Sequence, residues 1–424
     1  MLSWGSSGPL HPISVIPPRP RRARVTKVTN PAIVTAMTSA PPRAFCGIVP
    51  PHLLSSLADS GLHVADAARR TLTADVRHRL TRGAVPWVGE RHLAPPTGVE
   101  RRDDRSIYDD HDTEHLPGSQ VRAEGGAATG DRSADEAYAG LGATFDFYLD
   151  VYNRWSVDGQ GLPLKGTVHY GVEYDNAFWN GSQMVFGDGD GAVFGSFTSS
   201  VDVIGHELTH GVTQYTANLS YEGQSGALNE SISDVFGSLA KQHALGQSTE
   251  EADWLIGAGL FRPGVQGVAL RSMKAPGTAY DDPRLGKDPQ PDNMSGYVET
   301  QDDNGGVHLN SGIPNRAFYL TAAAIGGNAY DDPGKIWYTT LTAGGLPETA
   351  TFAVFAAATQ AAARQLFGDN SSQLAAVTTA WQTVGVLPAS TPAGQPAGDQ
   401  PDLMTAAQTE LQPNTPPSAP PPAE

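Results

Sequence analysis

The sequence predicts an α+β fold: a strand-rich N-terminal half, a helical C-terminal half, and a helix carrying the candidate site between them. Strand-like runs, GTVHYGVEY (166–174) and SQMVF (182–186), come before residue 200, and helical periodicity dominates after it. A third observation marks the join. Residues 203–213, VIGHELTHGVT, read as an amphipathic helix that carries His206, Glu207 and His210.

Taken in chain order, residues 1–43 hold six basic residues and no acidic one, in a Pro-rich, weakly apolar stretch. Such a leader is expected to be disordered, or to be a misread extension upstream of a true start at Met37. Arg21-Arg22 resembles a twin-arginine start, but the following VTKVTNPAIVTAM is too polar for the apolar region of a signal peptide. In residues 44–100, FCGIVPPHLLSSLA leads into helical periodicity through AARRTLTADVRHRL, a unit too small to build much core alone. GAVPWVGERHLAPPTGVERRDDR then has the Pro, Gly and paired arginines of an exposed, cleavable linker.

The main body follows, as an N-terminal part (101–225) and a helical part (226–387). Ser133 with Glu136 three residues on reads as a capping-box start, followed by Tyr138, Leu141, Phe145, Tyr148 and Tyr152 at helical spacing. GTVHYGVEY and SQMVF read as strands, with GDGDG (187–191) as the hairpin turn. Helices are predicted over 200–216, 226–244, 311–325, 349–367 and 371–384. The Pro- and Ala-rich tail 388–424 is expected to be disordered.

Charge narrows the partners. Residues 44–424 hold 22 basic against 45 acidic residues, which argues against a nucleic-acid partner for the body. No apolar run approaches the roughly 18 residues a membrane helix needs, so no membrane partner is expected. Cys46 is the sole cysteine, which excludes an internal disulfide.

On a helix, His206 and His210 lie four residues apart and project both imidazoles from one face, where they can grip one cation. Glu207 is rotated one residue round, where it reaches a water on that ion rather than the ion itself. Two neutral imidazoles suit zinc, and a neighbouring carboxylate can take the proton of an attacking water. A chance HExxH turns up in on the order of one or two chains in a hundred, so a third ligand has to decide. GALNESISDVFG supplies one: Glu230 completes a His₂Glu set with a fourth position open. Asp234, four residues on, can accept a ring N–H from a ligand histidine and fix its tautomer, and Asn229 is grouped with it as a supporting residue. The longer HExxHxxGxxH pattern is excluded, because Thr213 and Thr216 stand where its Gly and third His belong.

These motifs resemble the thermolysin-like metalloproteases over roughly 104–387. The resemblance is carried by YDNAFWNGSQMVFGDGDG, VIGHELTHGVTQYTA, SGALNESISDVFG, LRSM and DDNGGVHLNSG. FCGIVPPHLL at 45–54 is similar to the precursors of the short-precursor, protealysin-like branch. The resemblance implies that Glu207 is the general base and that His206, His210 and Glu230 bind zinc. It implies that His308, oriented by Asp303 and accompanied by Tyr221, stabilises the oxyanion. Asn176 and Ala177 would pair with substrate backbone, Arg271 would hold a substrate carbonyl, and Phe197, Val203 and Leu270 would line an apolar pocket.

One departure stands out. At the family's double calcium site Asp202 and Asp253 remain, but Lys241, Leu255 and Ala258 occupy matching positions, and a lysine cannot ligate calcium. Calcium dependence is therefore in question.

The expectation is a zinc endopeptidase made as a precursor, acting on protein or peptide substrates and preferring a bulky apolar residue after the scissile bond. Residues 44–100 would be its inhibitory pro-segment, in which Cys46 is either a zinc-ligating switch or a small buried hydrophobe. A monomer is expected, secreted by family habit, with a cytoplasmic location as the alternative. An inert zinc scaffold is disfavoured by the presence of Glu207, Tyr221 and His308, and an aminopeptidase by the lack of a marker for capture of a free amino terminus.

Overall fold

The computed structural model describes residues 47–61, 63–83 and 101–389. The chain divides into Met1–Ala40 and Pro41–Glu424, and every described residue belongs to the second unit. The expectations for the leader, Cys46, the linker over 84–100 and the tail from residue 390 lie outside the described residues.

The N-terminal part is built on a five-stranded mixed sheet. Its strands are β1 (Arg105–Asp109), β2 (Ser119–Ala123), β3 (Leu164–Val168), β4 (Ala177–Trp179) and β5 (Met184–Phe186), in the order β2-β1-β3-β5-β4. β1–β3 and β3–β5 are parallel, whereas β2 and β4 close the two edges antiparallel. β4 and β5 are buried at every position, consistent with AFW and MVF lacking any polar alternation. Before the sheet come α1 (Pro51–Asp59) and α2 (Ala65–Gly83); α3 (Arg132–Tyr152) packs across β1 and β3.

Two sequence expectations are corrected here. The α3 start is set by Asp131, not by a Ser133–Glu136 box: the Asp131 carboxylate accepts from Ala134 N at 2.8 Å, and Ser133 lies inside the first turn. Glu136 instead takes Arg132 Nε at 2.6 Å and Thr198 Oγ1 at 2.9 Å. The hairpin also lies elsewhere. β4 and β5 pair through a turn at Asn180–Gln183, while β3 ends at Val168 and runs parallel to β5.

GDGDG follows the hairpin and folds back on residues 174–176. Gly187 N donates to Asn176 O at 3.0 Å and Gly189 N to Tyr174 O at 3.2 Å. Asp190 N donates to Asp175 Oδ1 at 2.8 Å, while Asp190 Oδ1 accepts from the backbone of Ala192, Val193 and Phe194.

That clasp buries Asp175 beside a second carboxylate. Burial, reinforced by the Asp190 and Glu173 charges and opposed by Arg70, raises the Asp175 carboxyl to about 8. Its folded pKa thus lies above the unfolded value, so its contribution to stability is full below about 4 and lost as pH rises towards 8. Asp175→Asn should abolish this dependence, gaining on the order of 1–2 kcal/mol near pH 8 with no gain near pH 4. Denaturant melts across that range check it; parallel pH profiles for the two chains would contradict it.

After the sheet come α4 (Val201–Gln214), at the join between the two parts, and then α5 (Gly223–Leu245), α6 (Asp303–Asn310), α7 (Gly312–Ile325), α8 (Asp332–Thr342), α9 (Phe352–Phe367) and α10 (Ser372–Thr383). Between α5 and α6 lie two short antiparallel ribbons, Leu255–Ile256 with Arg271–Ser272 and Asp281–Asp282 with Gly286–Lys287. All five expected helices form within a few residues of their predicted bounds; α6 and α8 were not foreseen, α8 because its DPGK start reads as a turn.

α4 and α5 cross closely. A Cβ on Gly237 would lie 2.4 Å from Asp202 O, and one on Gly205 would lie 3.0 Å from the Gly237 Cα. Two glycines face each other where any other residue pair would hold the helices apart.

Lys241, on α5, ties the same crossing from outside. Its Nζ donates to Asp202 Oδ2 at 3.0 Å and to both Asp253 oxygens at 2.8 and 2.9 Å. Asp202 is fully buried, and its Oδ1 accepts from Ser200 Oγ at 2.6 Å and Gly257 N at 3.1 Å. Burial disfavours the Lys241 charge, but Asp202 and Asp253 more than compensate and raise its pKa. Lys241→Ala should destabilise by on the order of 1–3 kcal/mol, because it leaves the buried Asp202 charge uncompensated. Thermal melts test this, and a silent substitution would show the contact to be incidental.

Candidate functional site

α4 and α5 bring three potential ligands together. The His206, His210 and Glu230 donor atoms all lie within 4.8 Å of one another, and all three residues are buried. The two Nε2 atoms are 3.0 Å apart, each 3.6 Å from a Glu230 oxygen.

Their outer nitrogens fix the tautomers. His206 Nδ1 faces Asp234 Oδ1 at 2.8 Å, and His210 Nδ1 faces Asn229 Oδ1 at 2.8 Å. Both partners accept, so both rings carry the proton on Nδ1 and turn an Nε2 lone pair inward. Two lone pairs at that distance repel unless a cation lies between them and the carboxylate. The donor set therefore fits a His₂Glu metal site. Burial opposes ionisation of Glu230, but the neighbouring His308 and Arg271 favour its charged form and help to lower its pKa, so it presents a carboxylate.

Glu207 is fully buried, and its Oε2 accepts from Trp179 N at 3.0 Å. The β4 edge thus aims this carboxylate, a role for Trp179 that no side-chain motif announces. On the opposite wall, His308 Nδ1 faces Asp303 Oδ1 at 2.8 Å, and its backbone N donates to Asp303 Oδ2 at 2.9 Å. Residues 303–306 all have positive φ, and this left-handed turn wraps Asp303 round to the histidine that follows. Burial opposes the imidazolium, yet Asp303 and Glu230 raise the His308 pKa above its ordinary value. Tyr221 Oη lies 3.3 Å from His308 Nε2 and donates a short hydrogen bond to Glu230.

The expected peptide-binding residues are engaged by the chain itself. Gly47 forms an isolated antiparallel bridge with Phe178 on the β4 edge, and Ile48 N donates to Ala177 O at 3.1 Å. Arg271 Nη1 donates to Ile48 O at 3.0 Å, and Val49 N donates to Asn176 Oδ1 at 2.9 Å. A Cβ on Gly47 would lie 2.5 Å from Asn176 Nδ2, so only glycine passes there without a shift. Ile48 joins the buried apolar cluster that includes Phe197, Val203 and Leu270. His52 Nε2 lies 3.0 Å from Tyr280 Oη, and burial, aided by His308, lowers its pKa to about 4.

A second grip comes from α2. Asp75 accepts from Tyr174 Oη at 2.6 Å and from Asn176 Nδ2 at 3.1 Å, while Thr71 Oγ1 accepts from Asp175 N at 2.9 Å. His78 reaches Tyr170 Oη at 2.7 Å and packs on Phe178. These α2 contacts were invisible to the sequence reading, as were Ser233, 3.1 Å from His210 Nδ1, and Asn315, whose Nδ2 donates to Asp234 Oδ2 at 2.8 Å.

Comparison with known proteins identifies the family. Residues 56–214 match the thermolysin metallopeptidase catalytic domain and residues 217–386 its alpha-helical domain. An extracellular metalloprotease of Pectobacterium carotovorum subsp. carotovorum is 51% identical over 345 residues, which is 81% of this chain and 97% of the relative. Protease PrtS of Photorhabdus sp. (strain Az29) is 54% identical over 284 residues, 66% of this chain and 76% of the relative. The solved precursor of protealysin, a metalloproteinase from Serratia proteamaculans, is 52% identical with a TM-score of 0.73, covering 81% of this chain and 100% of that one.

Proposed function

The chain belongs to the thermolysin-like metalloproteases, and from that premise we propose a secreted zinc endopeptidase made as a self-inhibited precursor. The observation that carries the reading is the convergence of His206, His210 and Glu230 within 4.8 Å, beside a Glu207 aimed by the β4 backbone.

In this reading His206, His210 and Glu230 hold zinc, which when bound lowers the pKa of its water to about 7 and polarises the scissile carbonyl. Glu207 takes the proton of the attacking water. His308, held by Asp303, stabilises the developing oxyanion together with Tyr221. Asn176, Ala177 and Arg271 hold the peptide backbone, as they hold residues 48–49 here. Phe197, Val203 and Leu270 are all buried and apolar, which supports a bulky apolar residue on the leaving side of the cut bond.

We assign residues 44–100 as the pro-segment and linker, with catalytic parts at 101–225 and 226–387. The extracellular metalloproteases among the relatives support export, and no helix among the described residues is long and apolar enough to cross a membrane. Lys241 supports independence from calcium at the α4–α5 crossing: a calcium-selective chelator that spares zinc should leave the melting temperature nearly unchanged.

A casein-cleavage assay tests the reading. Processed enzyme should contain one zinc, lose activity with a zinc chelator and regain it on adding zinc. Chelator-resistant cleavage would overturn the mechanism.

A further inference from the structure

We propose that Asn315, on α7, is a positioning residue for the metal centre, fixing the one carboxylate that serves both ligand His206 and Arg271. The inference rests on the zinc reading above and adds to it a residue outside every motif that led there.

Asp234 is fully buried and accepts four hydrogen bonds. Oδ1 accepts from His206 Nδ1 and Arg271 Nη2, each at 2.8 Å. Oδ2 accepts from Arg271 Nε at 2.9 Å and Asn315 Nδ2 at 2.8 Å. The donors come from α4, from the Arg271–Ser272 strand and from α7, so three elements meet on one carboxylate. Two of them have work of their own, His206 as a ligand and Arg271 through the Nη1 that takes the Ile48 carbonyl. Asn315 makes no hydrogen bond to either among the described residues.

Its own chemistry explains its presence. Asn315 is fully buried, and its Oδ1 has no hydrogen-bond partner among the described residues. A bare buried acceptor is costly, and a leucine of similar size would avoid it. The position nonetheless carries an amide, and the bond that amide makes is to Asp234.

Without that bond Oδ2 keeps Arg271 alone, and the carboxylate loses its donor from α7. His206 and the Arg271 fork then share a carboxylate held from two elements instead of three. Outer partners of metal ligands typically change affinity by 10–100-fold, and Asn315 acts one bond further out.

The test measures zinc affinity of the full-length chain by competition with a chromogenic chelator, alongside melting of the zinc-free chain. N315L should bind zinc about tenfold more weakly while the zinc-free chain melts no lower than wild type, since the bare oxygen leaves with the donor. A merely structural asparagine would give the reverse: a lower melting temperature at unchanged zinc affinity, which overturns the proposal. Should N315L fail to fold, N315A removes the same donor without added bulk, and the same affinity loss is expected. A wild-type chain that binds no zinc would instead overturn the functional reading, and this inference with it.

Discussion

Glu207→Ala is expected to lower turnover by ~10² or more while the protein still binds one zinc. The separation follows from the α4 geometry. Glu207 leans towards β4 and takes Trp179 N, whereas His206 and His210 turn to Glu230 on α5. Deleting the base removes none of the three candidate ligands, nor the Asp234 and Asn229 bonds that orient the rings. Metal analysis and peptide hydrolysis on the same preparation decide the matter. Undiminished proteolysis would sink the mechanism; loss of metal along with activity would mean that Glu207 belongs to the ligand set.

The second large effect concerns latency. The uncut chain should be at least ~10²-fold less active than the processed enzyme, because a tethered inhibitor acts at an effective concentration in the millimolar range. Ile48→Asp should restore much of the difference without any cut. Ile48 is fully buried, with its backbone held between Ala177 and Arg271, and a carboxylate driven into that apolar cluster costs several kcal/mol. Activity is to be measured on chains shown by N-terminal sequencing to begin before residue 50. A wild-type chain of that length with full activity would contradict the assignment, as would an I48D chain that stays latent.

How much of this was legible beforehand depended on how each residue signals. His206, His210, Glu230 and Asp234 are readable because four-residue spacing on a helix fixes a shared face. The His308–Asp303 pair was reached through family resemblance alone: residues 303–306 form a left-handed turn, and no periodicity describes one. Trp179 acts through its backbone, so its side chain carries no hint of the role. Asn315 and Asp75 lie 81 and 101 residues from the groups they meet, and neither periodicity nor spacing records pairs so far apart. The misplaced hairpin has a simpler cause. GDGDG has the composition of a tight turn, but its amides are used on residues 174–176, and the real turn at Asn180–Gln183 is shorter and plainer.

The Gly205–Gly237 crossing bears on how this site can vary. Its spacing is set by missing atoms: with a Cβ on Gly237 only 2.4 Å from Asp202 O, no substitution can bring α4 and α5 closer, and nearly every one pushes them apart. Tolerance at the candidate metal site is therefore one-sided. Drift at these two positions can only widen the cage, favouring a larger ion or none, and the loss would arrive as a fading grip on metal before the chain ceased to fold. Along any lineage that keeps the chemistry, these two hydrogen side chains should be as immobile as the histidines, although neither offers a ligand atom.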